Sequence, residues 1–450
     1  MLFWSKYLIT DRIDNDVILW STINSKGFII QSQSDDIVKS VSEGIWYDDL
    51  NVSIKNKLID NGFLLSEEQQ ANESKLIEKM RAEAVFDDTF MSLTIVPTDK
   101  CNFKCLYCYQ SDTYHNMSND VATSIVKMIN KNKSLKKLHI SWFGGEPLCN
   151  KQLVISLMED INKICKEKGI ILISDMTTNA SLLDLETFSR LYSLKVLNYQ
   201  ITIDGCKKTH DIQRPLNNNQ SSFDLIMKNL RDIRDNAKGN FFKIGIRTNF
   251  TSFVDSHFEE MKNILIDEFA NDNRFYFFFQ WVKDWGGNRV SLISNELLKD
   301  DEAISHYGRW MDTMSKTQVR TGDIAMIRAC SGLCIGCRKN SYLINTDGTI
   351  CKCTTGIYDD KYKNKSIIGY IDNQGNRIID KWKEIDWLSC DSELEECKEC
   401  NLYPICLGMP CPYYKIKHGK VICNKNDSYI KYMIRSMARQ GYIDIISDEE

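Results

Sequence analysis

The stretch that decides how this chain is read runs from Met91 to Gln110: MSLTIVPTDKCNFKCLYCYQ. It begins as an apolar, β-rich run and turns into a short polar loop carrying Cys101, Cys105 and Cys108. Three thiolates on one loop can hold three irons of a [4Fe–4S] cluster, leaving the fourth iron open to a ligand that is not a cysteine. A structural zinc site asks for four protein ligands and would have to borrow one from elsewhere. That alternative, and chance spacing, stay open at this point. An aromatic residue, Tyr109, stands directly after the third cysteine.

Outward from this loop, similar runs recur: LHISWFG from 138, IILIS from 170, NYQITIDG from 198, KIGIRTNF from 243 and FYFFFQWV from 275. Helical stretches such as VATSIVKMINKN (121–132) and QLVISLMEDINKICKEKG (152–169) lie between them. Six strand-like runs alternating with helices predict an α/β fold over 91–325, a parallel sheet curled as a partial (β/α)6 TIM-like barrel. In such folds the chemistry gathers at the C-terminal ends of the strands.

The flanks read differently. Residues 1–65 form a small unit of their own, with strands in YLITDRI, DVILWST and GFIIQS, turns at Asp14-Asn15 and Lys26-Gly27, and helical patterns near 36–41 and 52–59. Residues 66–90 are charged and helix-prone, a linker helix. Residues 326–430 are rich in cysteine and turn residues, with a helical pattern only around 379–388; metal centres could staple such a loop-rich segment. Residues 431–450 start helical and end acidic.

The 57 basic and 61 acidic residues leave a net charge of −4, with no broad basic field to attract nucleic acid. No apolar run approaches a membrane span, and the first residues, MLFWSKYLITDRID, are charged too early for a signal peptide. The expectation is a cytoplasmic protein without nucleic-acid or membrane partners, in which the seventeen cysteines stay reduced. Cys149, Cys165 and Cys206 stand alone and read as small buried hydrophobes.

With the spacing Cys101-x3-Cys105-x2-Cys108 and Tyr109 beside it, the chain resembles the radical S-adenosylmethionine (SAM) superfamily. The resemblance implies that the open iron binds the amino and carboxylate groups of SAM, which is cleaved to a 5′-deoxyadenosyl radical. Further motifs follow in order. Gly144-Gly145-Glu146-Pro147, whose glycines would let the backbone approach a ligand closely, looks like the family's GGEP segment, whose carboxylate receives the methionyl amino group. Asn179 in TTNA, Thr202 and Asp204 in ITIDG, and Arg214 in HDIQR match segments that contact the ribose and carboxylate of the cofactor.

The later cysteines run Cys330-x3-Cys334-x2-Cys337, then Cys351 and Cys353, then Cys397-x2-Cys400-x5-Cys406-x4-Cys411, and Cys423. This pattern resembles the SPASM domain. It implies two auxiliary [4Fe–4S] clusters, three in all: one on Cys397, Cys400, Cys406 and Cys423, the other on Cys334, Cys337, Cys353 and Cys411. Cys330 competes for the second set and Cys351 is spare. Two CxxC pairs also suit a zinc ribbon. The first 65 residues resemble the winged-helix recognition element of enzymes that mature ribosomally made peptides. The whole layout therefore implies an anaerobic radical SAM peptide maturase that recognises a leader sequence, draws electrons from a donor such as flavodoxin or ferredoxin, and installs a side-chain crosslink, a thioether first. The alternatives are carbon–carbon crosslinking, epimerisation, a radical enzyme acting on a protein or small molecule, or a non-catalytic iron–sulfur or zinc scaffold. Thr354 after Cys353 departs from sulfatase maturases, where an aspartate stands at that place.

Overall fold

The computed structural model describes residues 1–31, 35–44, 51–110, 114–218, 220–322, 327–389, 397, 399–409, 411–421, 423 and 426–446. The chain divides into two compact units, one made of Met1–Phe86, Gly308–Cys334 and Cys390–Glu450, the other of Asp87–Tyr307 and Ile335–Ser389.

The second unit is built on a ten-stranded sheet. Its first six strands are β1 (Phe90–Ile95), β2 (Lys137–Trp142), β3 (Ile171–Thr178), β4 (Val196–Thr202), β5 (Lys243–Phe250) and β6 (Phe275–Trp281). They lie side by side in chain order and all pair in parallel. This is the α/β fold expected from the sequence, with each of the six runs supplying one strand. Helices separate them, as parallel neighbours require a crossover. The helix Asn119–Lys131 starts where the Ser118 hydroxyl accepts from Val121 N. The helix Lys151–Lys168 ends where Gly169 takes a left-handed φ of 66°, a conformation glycine adopts without steric cost.

Two features of this sheet go beyond the sequence reading. β3 runs on to Thr178, well past the IILIS segment. The sheet also continues past β1 with β7 (Ser341–Ile344), parallel to it, and then β8 (Thr349–Cys351), β9 (Ile367–Ile371) and β10 (Arg377–Ile379), all antiparallel. The segment 335–389 therefore belongs to this unit, while 308–334 and the residues from Cys390 onward belong to the other. The cysteine-rich stretch is shared between the two.

In the first unit the strands Leu8–Ile13, Asp16–Ser21 and Lys26–Ile30 form an antiparallel meander. Leu2–Trp4 pairs with Leu64–Ser66, and the helices Asp35–Glu43, Val52–Asp60 and Glu67–Phe86 follow the expected patterns. The expected turn at Lys26-Gly27 is corrected: both residues are in a strand, and the turn occupies 22–25, with Ser25 at a φ of 56°. The glycine is there for space instead. A Cβ on Gly27 would sit 2.7 Å from the Trp20 ring. The last segment also holds a strand that the sequence reading lacks: Asp444–Ile446 is the fourth strand of this sheet, parallel to Lys26–Ile30. Ile446 joins Trp4, Val17, Leu19, Phe28, Leu58 and Phe63 in the core.

Candidate active site

The loop of Cys101, Cys105 and Cys108 leaves the C-terminal end of β1 and is strapped down by backbone. Beyond β2, Gly145 N donates to Thr98 O at 3.1 Å and Glu146 N to Lys100 O at 2.7 Å. This contact explains the glycine pair. A Cβ on Gly144, whose φ is 125°, would meet Thr98 O at 2.6 Å, and one on Gly145 would meet both Asp99 O and Lys100 O at 2.3 Å. The close approach anticipated for a ligand is thus made to the loop's own main chain. On another side Gly287 presses on the loop, its missing Cβ 2.3 Å from Cys108 O, and Arg289 Nη1 donates to Cys105 O at 3.2 Å.

The three thiols share one electrostatic neighbourhood. Burial pushes the Cys101 thiol well up, and Cys105, Glu146 and Cys108 add to the rise. Burial likewise raises Cys105, to about 11. Phe103 N–H points at Cys101 Sγ from 3.4 Å. Among the described residues, no three His, Cys, Asp or Glu side chains converge closely enough to hold a single metal ion. Soft thiols grouped on one loop, with a main-chain N–H aimed at a sulfur, are nonetheless a donor set that suits an iron–sulfur cluster.

Glu146 is buried, 1% exposed, and its carboxylate ties three elements together. It accepts from Leu148 N at 3.0 Å, the Thr178 hydroxyl at 2.7 Å and Asn179 N at 2.7 Å. Burial raises its pKa, an effect opposed by the N–H groups of Asn179 and Leu148 and the Thr178 hydroxyl. Asn179 reaches the cysteine loop in turn. Its Nδ2 donates to Asn102 Oδ1 at 2.9 Å and lies 4.0 Å from Cys101 Sγ.

Across the site, Asp204 and Arg214 meet on a residue that the sequence reading passed over, Tyr107. The Tyr107 hydroxyl donates to Asp204 Oδ2 and accepts from Arg214 Nη1 at 2.6 Å and Asn249 Nδ2 at 3.1 Å. Asn249 N donates to the other Asp204 oxygen at 2.8 Å. Burial raises Asp204, with Arg214 opposing. Burial works against the charge on Arg214, yet Cys105, Tyr107 and Asp204 carry its pKa well above the arginine value. Arg214 Nε and His210 Nε2 are buried with no hydrogen-bond partner among the described residues, room for acceptors of a bound polar group. Thr202 ends β4, buried, opposite Arg247 of β5 in the parallel register. The signal for Tyr107 was available: it is the second aromatic flanking Cys108, and only the one after it drew attention.

Tyr109 turns the other way, its ring 6.1 Å from that of Tyr358, with burial raising its hydroxyl to about 12. The later cysteines fall in two groups. Cys337, Cys351 and Cys353 belong to the unit carrying the parallel sheet, and Gly356 N donates to Cys353 Sγ at 3.3 Å. Cys330, Cys334, Cys397, Cys400, Cys406, Cys411 and Cys423 belong to the other unit. There Cys330, at a φ of 63°, donates its N–H to Pro404 O at 2.8 Å. Cys400 is raised first by burial and then by the charges of Cys423 and Cys397, so these three thiols are electrostatic neighbours. Among the described residues no helix is long and apolar enough to cross a membrane.

Residues 95–265 match the family model described as Radical SAM superfamily. Among curated proteins, the chain is 26% identical over 151 residues to Fe-coproporphyrin III synthase of Methanosarcina barkeri, covering 33% of this chain and 34% of that protein. It is 22% identical over 312 residues to the radical SAM cyclopropyl synthase TigE of Paramaledivibacter caminithermalis, covering 59% and 62%. The chain thus spans about a third and about three-fifths of the lengths of these two relatives. Among solved structures, native anSMEcpe with bound AdoMet and Cp18Cys peptide shares the fold, with a TM-score of 0.58 at 19% identity over 78% of this chain and 98% of that one. The chain carries a radical SAM domain.

Proposed function

We infer, for a chain that carries a radical SAM domain, that the whole protein is a peptide maturase that installs a side-chain crosslink, a thioether first, in a ribosomally made precursor. The observation that carries the reading is the three-thiol loop strapped by Gly144–Glu146 and faced by the Tyr107–Asp204–Arg214 hub. Cys101, Cys105 and Cys108 are the residues that would hold the reactive [4Fe–4S] cluster. With SAM bound beside it, that centre supplies a 5′-deoxyadenosyl radical.

The chain's own residues do the rest. Glu146 keeps a buried carboxylate near the loop for a cationic amino group. Arg214, charged and buried with a free Nε, offers a donor to a carboxylate. Asn179 fixes the loop near Cys101, and Thr202 and Asp204 present oxygens to ribose hydroxyls. Further cysteines, Cys334, Cys337, Cys353 and Cys411 in one set and Cys397, Cys400, Cys406 and Cys423 in the other, take two auxiliary clusters, which makes roughly twelve irons per chain. Crosslinking is a net oxidation, so a one-electron acceptor is needed, and the extra clusters answer that need.

The first unit takes the leader peptide by strand addition, in which main-chain hydrogen bonds supply the affinity. The outer edge of Lys26–Ile30 is occupied by Asp444–Ile446, so Leu8–Ile13 at the far end of the sheet is the edge for an added strand. A peptide substrate also accords with the peptide bound to anSMEcpe. The reaction runs in the cytoplasm, under anaerobic conditions, with flavodoxin or ferredoxin as donor.

The test is anaerobic reconstitution with SAM, reductant and a cysteine-containing precursor encoded beside the gene, followed by mass spectrometry after alkylation. The expected product lacks two hydrogens and one alkylatable thiol. The same loss with all thiols retained means a carbon–carbon bond. An unchanged mass with deuterium taken up from heavy water means epimerisation and overturns the crosslink.

A further inference from the structure

The two faces of β1–β5 differ in a way that parallel sheets covered on both sides do not. One face is apolar: Leu93 and Ile95, Leu138, Ile140 and Trp142, Tyr199 and Ile201, Ile244 and Ile246 are all buried. The other face is polar, and the register lines its residues into rows. Ser92 stands opposite His139, and Thr94 opposite Ser141. Ser141 stands opposite Asp175, Asp175 opposite Asn198 and Thr177 opposite Gln200, and Thr202 opposite Arg247. This face also carries Thr202 and Asn249 toward the site already described. It is the inner wall of the partial barrel.

Within it, four side chains on three strands form one hydrogen-bonded line. Ser141 Oγ donates to Asp175 Oδ1 at 2.6 Å, Asp175 Oδ2 meets His139 Nε2, and His139 Nδ1 lies 3.0 Å from Ser92 Oγ. A carboxylate only accepts, so it holds the imidazole proton on Nε2 and leaves Nδ1 as the basic nitrogen beside the Ser92 hydroxyl. The His139 side chain keeps 28% of its surface exposed and Asp175 31%, so the pair is open to exchange. The other charged groups on this face are engaged elsewhere. Lys137 Nζ lies 5.9 Å over the Phe90 ring, Lys243 Nζ donates to Asn273 O at 2.6 Å, and Arg247 Nε donates to Asn249 Oδ1 at 2.8 Å. Of the six histidines, His139 alone sits on these strands. The polar set is not needed to build the sheet, whose apolar face does that.

We propose that His139, oriented by Asp175, takes up the proton that the substrate releases when its crosslink closes. This rests on the maturase reading. Joining a substrate C–H to a second substrate X–H removes two hydrogens. One leaves as an atom to the 5′-deoxyadenosyl radical, giving 5′-deoxyadenosine. The X–H proton passes to His139 Nδ1, and the remaining electron goes to an oxidised iron–sulfur cluster. The imidazolium formed is stabilised by the Asp175 carboxylate and loses its proton to water.

The experiment compares wild type with His139→Gln and Asp175→Asn, the second keeping side-chain volume. Three quantities are read: 5′-deoxyadenosine formed, crosslinked peptide per deoxyadenosine, and peptide affinity by fluorescence anisotropy. The expected result is near-normal deoxyadenosine and unchanged affinity, with crosslink yield per deoxyadenosine down about a hundredfold, the scale of a lost acid–base group. In protein labelled with 15N-histidine, the His139 Nε2–H tautomer of wild type should be lost in Asp175→Asn. A His139→Gln protein that crosslinks as well as wild type, or one that simply loses peptide affinity, overturns the proposal alone. A wild type that leaves the peptide unchanged sinks the maturase reading and this role with it.

Discussion

The two cysteine-bearing regions stand on different physical supports. The loop of Cys101–Cys108 hangs from β1, whose neighbours are paired on both sides, and it is laced to Gly145 and Glu146 by main-chain hydrogen bonds. Its shape is set by sheet and backbone before any cluster is present. The cysteines from Cys397 to Cys423 sit among short helices, Tyr403–Cys406 and Pro412–His418, and loops, where buried side chains such as Ile405, Leu407 and Met409 pack without a sheet strand to carry the thiols. In such a segment metal binding and folding are one process. The first region is a prepared receptacle, and the second is expected to be completed by what it binds.

The largest expected effect separates the regions outright. Changing Cys101, Cys105 and Cys108 together to Ala should abolish 5′-deoxyadenosine formation while leaving roughly eight of twelve irons bound. Iron and sulfide analysis after anaerobic reconstitution reads the second quantity. Loss of all iron would mean that the regions depend on one another. About four irons and one zinc in the wild type would replace the auxiliary clusters by a zinc ribbon.

A smaller effect probes the receptacle alone. Gly145→Ala puts a Cβ against two carbonyl oxygens that cannot swing aside, at a cost of about 1–3 kcal/mol of overpacking. The loop must shift relative to Glu146 and Asn179. SAM cleavage should fall by about an order of magnitude, since small misplacements of reacting groups carry large rate penalties. Titration of SAM and the deoxyadenosine rate measure it, and unchanged values would show that the strap is not what positions the loop.

The contrast also explains what could be read from the sequence. The six strands were legible because each is a β-rich apolar run between helical stretches. The glycines of GGEP were legible as a close approach but not as to what, since their partners Thr98, Asp99 and Lys100 meet them only across β1 and β2. The line from Ser92 to Ser141 escaped for the same reason. It acquires meaning from register, which brings Ser92 beside His139 and Ser141 beside Asp175, and residues some forty apart show no local signature of that pairing. The β7–β10 extension was hidden in a segment whose cysteines and turns masked short strands.

The strand Asp444–Ile446 is the extreme case, and it supplies the smallest expected effect on chemistry. It is three residues long, close to an acidic end, and pairs with Lys26–Ile30 across more than four hundred residues of chain. Neither periodicity nor turn signals could announce it. Yet Ile446 is 1% exposed and packs in the same cluster as Phe28 and Ile30, so its side chain works as core. Ile446→Ala should cost about 2–5 kcal/mol in that cluster and lower the melting temperature of the unit that holds it. Every residue of the three-thiol site lies in the other unit, so SAM cleavage without peptide should keep its wild-type rate. Scanning calorimetry with a deoxyadenosine assay reads both. A melting point that does not move would show that the strand is a surface attachment. A fall in peptide-free SAM cleavage would show that the receptacle draws support from the first unit and is not self-sufficient.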